Sequence, residues 1–396
     1  MAFLDLTSLA CYNAFSMKNL LLSIFFFLLA VTTVSPVVAV EDPLSKPNNK
    51  VGIHLLFASE LTEAAQLING NNGEWGYIIV PIQSGDRDIK KWQDFLNEAD
   101  KHKVIPIIRL ATEGDYFNTK VWRKPKYEDI IDFANFLDSL HWPTKNRYVV
   151  VFNEVNRGDE WGGEANPQEY ATLLSYAVTV FKSLNQDFFM IGGGFDNAAP
   201  NQGTQYIDQY TYIRAMNQEI PGIFNQIDGY ASHSYPNPGF SQPPSVVSTK
   251  SISSFNYERA LLQTMTSKKL PIFITETGWS GEVIDDQTRA TYYEEAFRSY
   301  WNDPDIVTVI PFVLRASGPF AKFSFMKEDG SKTSQYTMLQ NMSKIKGTPT
   351  LNKRVLGAQV QDKPKEKLQF PEKQEKKGSF TPSQVLRATF AWVMKL

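Results

Sequence analysis

Between residues 51 and 314 the chain alternates short, largely apolar runs with longer stretches in which apolar residues recur every three or four positions. The runs fall at 51–57, 76–81, 104–110, 147–153, 188–193, 227–233, 271–275 and 307–314. They are too short for typical helices and rich in Val, Ile, Tyr and Phe, so they predict strands. Because most do not alternate apolar with polar, both faces of each strand should be covered, as in a parallel sheet with helices packed on it. The amphipathic stretches at 89–102, 127–140, 167–184, 257–267 and 288–301 predict such helices. One of them opens with Asn166-Pro167, a side chain that caps a first turn followed by the residue best suited to begin it. About eight strands in a βα rhythm close a (β/α)8 TIM barrel, which is the expected fold, in one large domain. An open doubly wound sheet fits less well. No Gly-x-Gly-x-x-Gly turn follows the first strand, and Gly192-Gly193-Gly194 ends a strand without opening a helix that would bind phosphate.

Two of the predicted strands stop on a carboxylate. Val149-Val150-Val151-Phe152-Asn153-Glu154 does so in the fourth, followed by a long polar loop over 155–165. Pro271-Ile272-Phe273-Ile274-Thr275-Glu276 does so in the seventh. A carboxylate is costly to bury, and the carboxyl ends of parallel barrel strands are where sites are built. One such glutamate alone reads equally well as a helix cap or, for Glu154, as the ion-pair partner of Arg157. The repetition favours a shared site.

Charge and composition narrow the chemistry. A formal net charge of -2 over 396 residues supplies no concentrated Lys/Arg surface, which argues against a nucleic-acid partner. The lone cysteine, Cys11, precedes the first strand, so the barrel has no disulfide, thiolate nucleophile or cysteine metal site. His54, His102, His141 and His233 are scattered, with no His-x-His or His-Glu-x-x-His pattern, and neither a metal nor a cofactor is expected.

The ends of the chain read differently. From Lys18 an apolar run leads to Val37-Val38-Ala39, the basic, apolar and small-residue order of a secretory signal; Met17 is the expected start, with cleavage near Ala39. A retained N-terminal membrane anchor is the alternative, although the run is short for a spanning helix. Residues 1–40 are therefore an extension and signal, and 41–346 the barrel. Residues 362–377 carry six lysines, four acidic residues and two prolines with almost nothing to bury, so 347–380 is expected to be a charged, disordered linker. The last stretch, 381–396, regains helical apolar spacing but is too short to span a bilayer. It is expected to be an amphipathic segment, with weak membrane or cell-surface association as its possible use. The expected location is secreted or cell-surface.

Taken together, Phe152-Asn153-Glu154, Ala231-Ser232-His233-Ser234-Tyr235 and Ile274-Thr275-Glu276-Thr277-Gly278-Trp279 resemble the clan A retaining glycoside hydrolases. This barrel group includes cellulases, mannanases, xylosidases and β-1,3-glucanases, and the resemblance covers residues 51 to about 345. It implies a carbohydrate substrate, with Glu154 as general acid/base and Glu276 as nucleophile. One carboxyl must protonate the departing oxygen while the other attacks the anomeric carbon, so their pKa values must be pushed apart. Burial and the charge of Glu276 would raise Glu154, while Tyr235 and Arg109 would keep Glu276 ionised. The resemblance further implies that Asn153 bonds the sugar 2-hydroxyl, that His233 faces the substrate, and that the Tyr235 hydroxyl bonds the nucleophile. Arg109, ending the third strand, would sit under Glu276.

Trp161 and Trp279 lie just beyond the two glutamates and Trp122 in the loop after the third strand, where their flat faces would stack on sugar rings; core packing is the competing use. The eighth strand departs from the clan. Ile310-Pro311-Phe312-Val313-Leu314-Arg315 lacks the tryptophan that floors the sugar site in many members, so Phe312, Leu314, Arg315 or a residue within 319–325 must fill that place. Two other functions share the pattern: a non-catalytic carbohydrate-binding barrel, which commonly loses one of the carboxylates present here, and a transglycosidase using the same glutamates.

Overall fold

The computed structural model describes residues 40–115, 118–352 and 368–369. The predicted signal, most of the charged linker and the 381–396 segment lie outside the described residues. Everything below belongs to the unit that begins at Val40. Its strands are β1 (Gly52–His54), β2 (Gly76–Gln83), β3 (Val104–Ala111), β4 (Arg147–Val150), β5 (Phe188–Asp196), β6 (Gly229–His233), β7 (Ile272–Thr277) and β8 (Ile306–Pro311). Neighbours pair in parallel in the order β1 to β8. The ring closes where Val309 N–H donates to Lys50 O at 2.8 Å and Leu314 N–H to His54 O at 2.9 Å. This is the expected (β/α)8 barrel.

Helices α1 (Leu61–Ile68), α2 (Ile89–Lys101), α3 (Tyr127–Asp138), α4 (Pro167–Leu184), α5 (Gln209–Glu219), α6 (Ile223–Gln226), α7 (Ser254–Leu262), α8 (Asp286–Glu295) and α9 (Ser334–Asn341) surround the strands. Their starts follow capping chemistry. Asp88 accepts from Lys91 N–H at 3.0 Å, Asn166 from Glu169 N–H at 3.0 Å, and Asp285 from Thr288 N–H at 3.0 Å. In α2 the buried residues are Trp92, Phe95, Leu96 and Ala99, one stripe of a 3.6-residue helix turned to the sheet. Helix α7 begins before its predicted start and stops at Leu262; beyond it the Thr264 hydroxyl takes the Leu261 carbonyl at 2.7 Å.

The strands are apolar throughout because both faces are covered. Tyr77, Ile79, Ile105, Ile107, Tyr148, Val150, Phe189, Ile191 and Phe273 fill the barrel, while Ile78, Val80, Ile108, Val149 and Ile274 pack in the larger core shared with the helices. The amino-terminal end of the barrel is crossed by two stretches of chain. Glu41 N–H bonds Asn146 Oδ1 at 3.0 Å, Gly347 N–H bonds Glu74 O at 2.9 Å, and Asn352 Nδ2 bonds Trp142 O at 3.0 Å. Residues 347–352 therefore pack along the barrel. Leu368 also exchanges two hydrogen bonds with Asn135, at 2.9 and 3.1 Å. Among the described residues no helix is long and apolar enough to cross a membrane.

Candidate active site

The side-chain alternation of the strands breaks at their carboxyl ends, and the breaks put charged groups into the barrel mouth. In β7, Phe273 points into the barrel while Ile272 and Ile274 pack toward the helices, so simple alternation would send Glu276 outward as well. Register shifts after Ser232 in the β6–β7 pairing and after Ile274 in the β7–β8 pairing re-aim this strand end, and Glu276 lines the cleft. At the end of β4, Phe152 (φ 67°) and Glu154 (φ 37°) adopt left-handed backbone, unusual for residues with a Cβ. Phe152 thereby packs in the helix-side core and against the cleft wall, beside Asn153 and Glu154, which face the cleft. The turn is held by Glu154 N–H donating to Gly194 O at 2.9 Å. Gly193 (φ 102°) permits the approach of β5 to β6 here, since an added Cβ would fall 2.6 Å from Ala231 O.

Glu276 is only 6% exposed and is surrounded by donors. Arg109 Nη1 donates to Oε1 at 2.6 Å and the Tyr235 hydroxyl to Oε2 at 3.1 Å. His54 Nε2 lies 3.4 Å from Oε1, a long contact through which its ring N–H supports the carboxylate, and His233 Nδ1 lies 3.8 Å from Oε2. Burial pushes the Glu276 carboxyl up, but His233, then His54 and Arg109, outweigh it and hold the group well below the usual carboxylate range. It is ionised at neutral pH. Arg109 Nη1 also donates to Asn153 Oδ1 at 2.6 Å, so one guanidinium fixes both the carboxylate and the amide beside it. Burial takes His54 down to about 4, which leaves a neutral ring packed edge-on to Phe312 at 4.9 Å.

Glu154 is biased the other way. Burial raises it, the charge of Asp196 adds to the rise, and His233 and Arg157 do not cancel it. His233 Nδ1 lies 2.9 Å from Oε1 and Arg157 Nη1 3.6 Å from Oε2. Arg157 is shared with other acids: Asp159 takes it at 3.0 and 2.7 Å, and Asp196 at 3.3 Å. The acid that adds to the rise of Glu154 is thus Asp196 rather than Glu276. Burial would lower His233, but Glu276 and then Glu154 raise it above its ordinary value.

The structure brings Arg109, Asn153, Glu154, Tyr235 and Glu276 together with Trp122 around one cleft of about 330 Å³, with His233 bridging the two glutamates. Trp161 and Trp279 are not there. Each is 1% exposed; the Trp161 indole N–H donates to Glu169 Oε2 at 3.2 Å and that of Trp279 to Gln242 O at 2.7 Å. They are core residues, and the stacking expected of them is corrected: the turn at Phe152 pulls Trp161 against the helix-side core, and Trp279 packs on Tyr293 at 4.8 Å. Phe312 lines the cleft at the end of β8, with Phe320 5.5 Å and Phe323 5.8 Å from its ring, so an aromatic wall stands where the eighth-strand tryptophan is missing. Sequence reasoning passed over His54, Asp196 and Glu160. His54 and Asp196 close the observed β1 and β5, but His54 lies inside the predicted run 51–57 and Asp196 beyond the predicted run 188–193, so a strand-end rule applied to the sequence passes them by.

Glu154, His233 and Glu276 each offer a ligand atom within 4.8 Å of the others, the one such group among the described residues that could approach a metal ion. The Arg109 cation already bonds Glu276 at 2.6 Å and would repel a metal there, so this donor set suits proton chemistry better.

No family model matches the chain, and no curated protein matches it in sequence. Solved structures do share its fold. A family 39 glycoside hydrolase from the gut symbiont Bacteroides cellulosilyticus WH2 aligns with a TM-score of 0.53 at 16% identity, over 76% of this chain and 64% of that one. The chain thus spans somewhat under two thirds of that protein. GH5_18 from Streptomyces cattleya in complex with GlcNAc aligns with a TM-score of 0.54 at 11% identity, over 75% of this chain and 80% of that one. At such identities the likeness is one of architecture. The chain shares with these two glycoside hydrolases the parallel eight-stranded barrel.

Proposed function

We propose that the protein is a retaining glycoside hydrolase that cleaves β-linked oligo- or polysaccharides by double displacement. The observation that supports this best is a pair of carboxyl groups, Glu276 buried and Glu154 partly buried, with an oxygen of each within 4.8 Å of the other, one biased toward ionisation and the other toward protonation. Retention uses carboxyl groups about 5–5.5 Å apart and inversion about 6.5–9.5 Å, and the close approach of one oxygen from each group is in keeping with the shorter spacing. In the first step Glu276, oriented by Arg109 and Tyr235, attacks the anomeric carbon, and Glu154 gives its proton to the departing oxygen. Asn153, fixed by Arg109, is placed to bond a hydroxyl next to the reacting carbon. Having given up its proton, Glu154 acts in the second step as the base that activates water.

The signal-like start of the chain supports a secreted or cell-surface location, where polymeric carbohydrate is met. The test is a screen of the purified protein against β-linked polysaccharides and aryl β-glycosides. Release of reducing ends or of the aryl group is expected. Binding without any hydrolysis would instead favour a carbohydrate-binding barrel.

A further inference from the structure

We propose that Glu160, with Trp122 beside it, forms a sugar subsite for the leaving group, so that this active site is built to release a carbohydrate aglycone rather than a small alcohol. The inference rests on the glycosidase reading above. Glu160 closes the short turn Gly158–Glu160, on the same βα loop as the proposed acid Glu154. Its carboxyl lines the cleft. Among the described residues it has no hydrogen-bond or ion-pair partner, unlike every other carboxyl there. Glu154 has His233, Asp159 and Asp196 have Arg157, and Glu276 has Arg109 and Tyr235. A carboxyl that no protein group engages is left to solvent, and the hydroxyls of a ligand could take the place of that water.

The platform next to it is fixed by backbone. Trp122 N–H donates to Asp159 O at 2.7 Å and Gly162 N–H to Trp122 O at 2.9 Å, which ties the loop after β3 to the turn bearing Glu160. The indole lies over Gly114, where an added Cβ would stand 2.9 Å from Cζ3. An aromatic face beside a carboxyl matches a pyranose, whose C–H face stacks while its hydroxyls reach sideways. Burial, and then the charge of Glu154, pushes Glu160 up to about 8. At neutral pH the group therefore both donates and accepts, as a pair of neighbouring hydroxyls does. The facing wall of Phe240, Phe312, Phe320 and Phe323 offers no carboxyl, so polar selection falls to Glu160.

The test compares two substrates with the same glycone, a nitrophenyl β-glycoside and a β-linked oligosaccharide, on wild type, Glu160→Ala, Glu160→Gln and Trp122→Ala. Glu160→Ala should lose about 10- to 30-fold in kcat/KM on the oligosaccharide, the worth of two neutral hydrogen bonds, and at least fivefold less on the nitrophenyl substrate. Glu160→Gln, which keeps one donor side and one acceptor, should recover most of the loss, and Trp122→Ala should show the same substrate bias. Equal losses on both substrates would overturn the proposal, as would no loss on either. If the wild type hydrolyses neither, the glycosidase reading itself fails. Calorimetric titration with the oligosaccharide then decides for Glu160: binding weakened in Glu160→Ala supports the subsite, and unchanged or undetectable binding overturns it.

Discussion

Replacing Trp161 with alanine should unfold the protein more readily without selectively weakening substrate binding. The indole is 1% exposed, lies 6.1 Å from the Phe152 ring and 5.6 Å from the Tyr170 ring, and donates to Glu169 at 3.2 Å. Truncating a buried aromatic of this size leaves a cavity and costs about 3–5 kcal/mol. In a domain of this length each kcal/mol lowers the melting temperature by roughly 2 °C, so a drop of about 6–10 °C is expected. Urea unfolding followed by fluorescence gives the free energy, and Trp161→Phe, which keeps most of the volume, should recover more than half of it. Because Trp161 backs Phe152, whose left-handed backbone precedes Asn153 and Glu154, kcat should fall more than KM rises. A variant of unchanged stability whose affinity for oligosaccharide drops tenfold would place the ring in the cleft and refute the core assignment.

Three further outcomes follow from the structure. Glu258 is 1% exposed and accepts from Ser232 and Ser254, yet burial raises it from 4.5 to about 7. A raised carboxyl stabilises the fold below its unfolded value and loses that contribution as pH rises through the folded one. Glu258→Gln should therefore gain stability relative to wild type by about 3 kcal/mol between pH 4.5 and 8, and a constant difference in urea midpoints would contradict this. Arg109→Met removes a cation that helps keep Glu276 ionised, so the acid limb of kcat/KM should move to higher pH and its maximum fall about 100-fold; an unmoved limb would clear Arg109 of that role. Ending the chain after Asn352 should leave thermal stability near that of the full chain, whereas ending it at 346 should lower it, because the 347–352 stretch bonds Glu74, Pro47, Trp142 and Thr144. Equal stability for the two would make that stretch dispensable.

The barrel was legible because burial on both faces leaves a simple mark: short apolar runs at regular intervals, all eight of which became strands. Helix α1 was missed although Leu61, Ala64, Ala65 and Ile68 make a clear stripe, since it follows its strand almost at once. The two carboxylates were legible as charges closing apolar runs. Their direction was not, because alternation alone sends Glu276 to the helices and only the register shifts around β7 bring it back. The tryptophans misled for a related reason. Nearness in sequence to Glu154 and Glu276 says nothing of which way a strand end turns, and the left-handed backbone at Phe152 takes Trp161 away from the cleft. Asp196, the acid that helps raise Glu154, lies on a different strand, and no local pattern links the two.

The central claim, that Glu276 attacks the anomeric carbon while Glu154 serves as acid and base, is tested most directly by following the configuration of the product. A proton NMR time course on a β-linked substrate should show the β-anomer first, with the α-anomer growing only by mutarotation. With azide present, Glu154→Ala should turn over a dinitrophenyl β-glycoside to the β-azide, and Glu276→Ala, if rescued at all, should give the α-azide. Initial release of the α-anomer by the wild type would contradict the retaining mechanism, and azides of the opposite configurations would show that the two glutamates exchange roles.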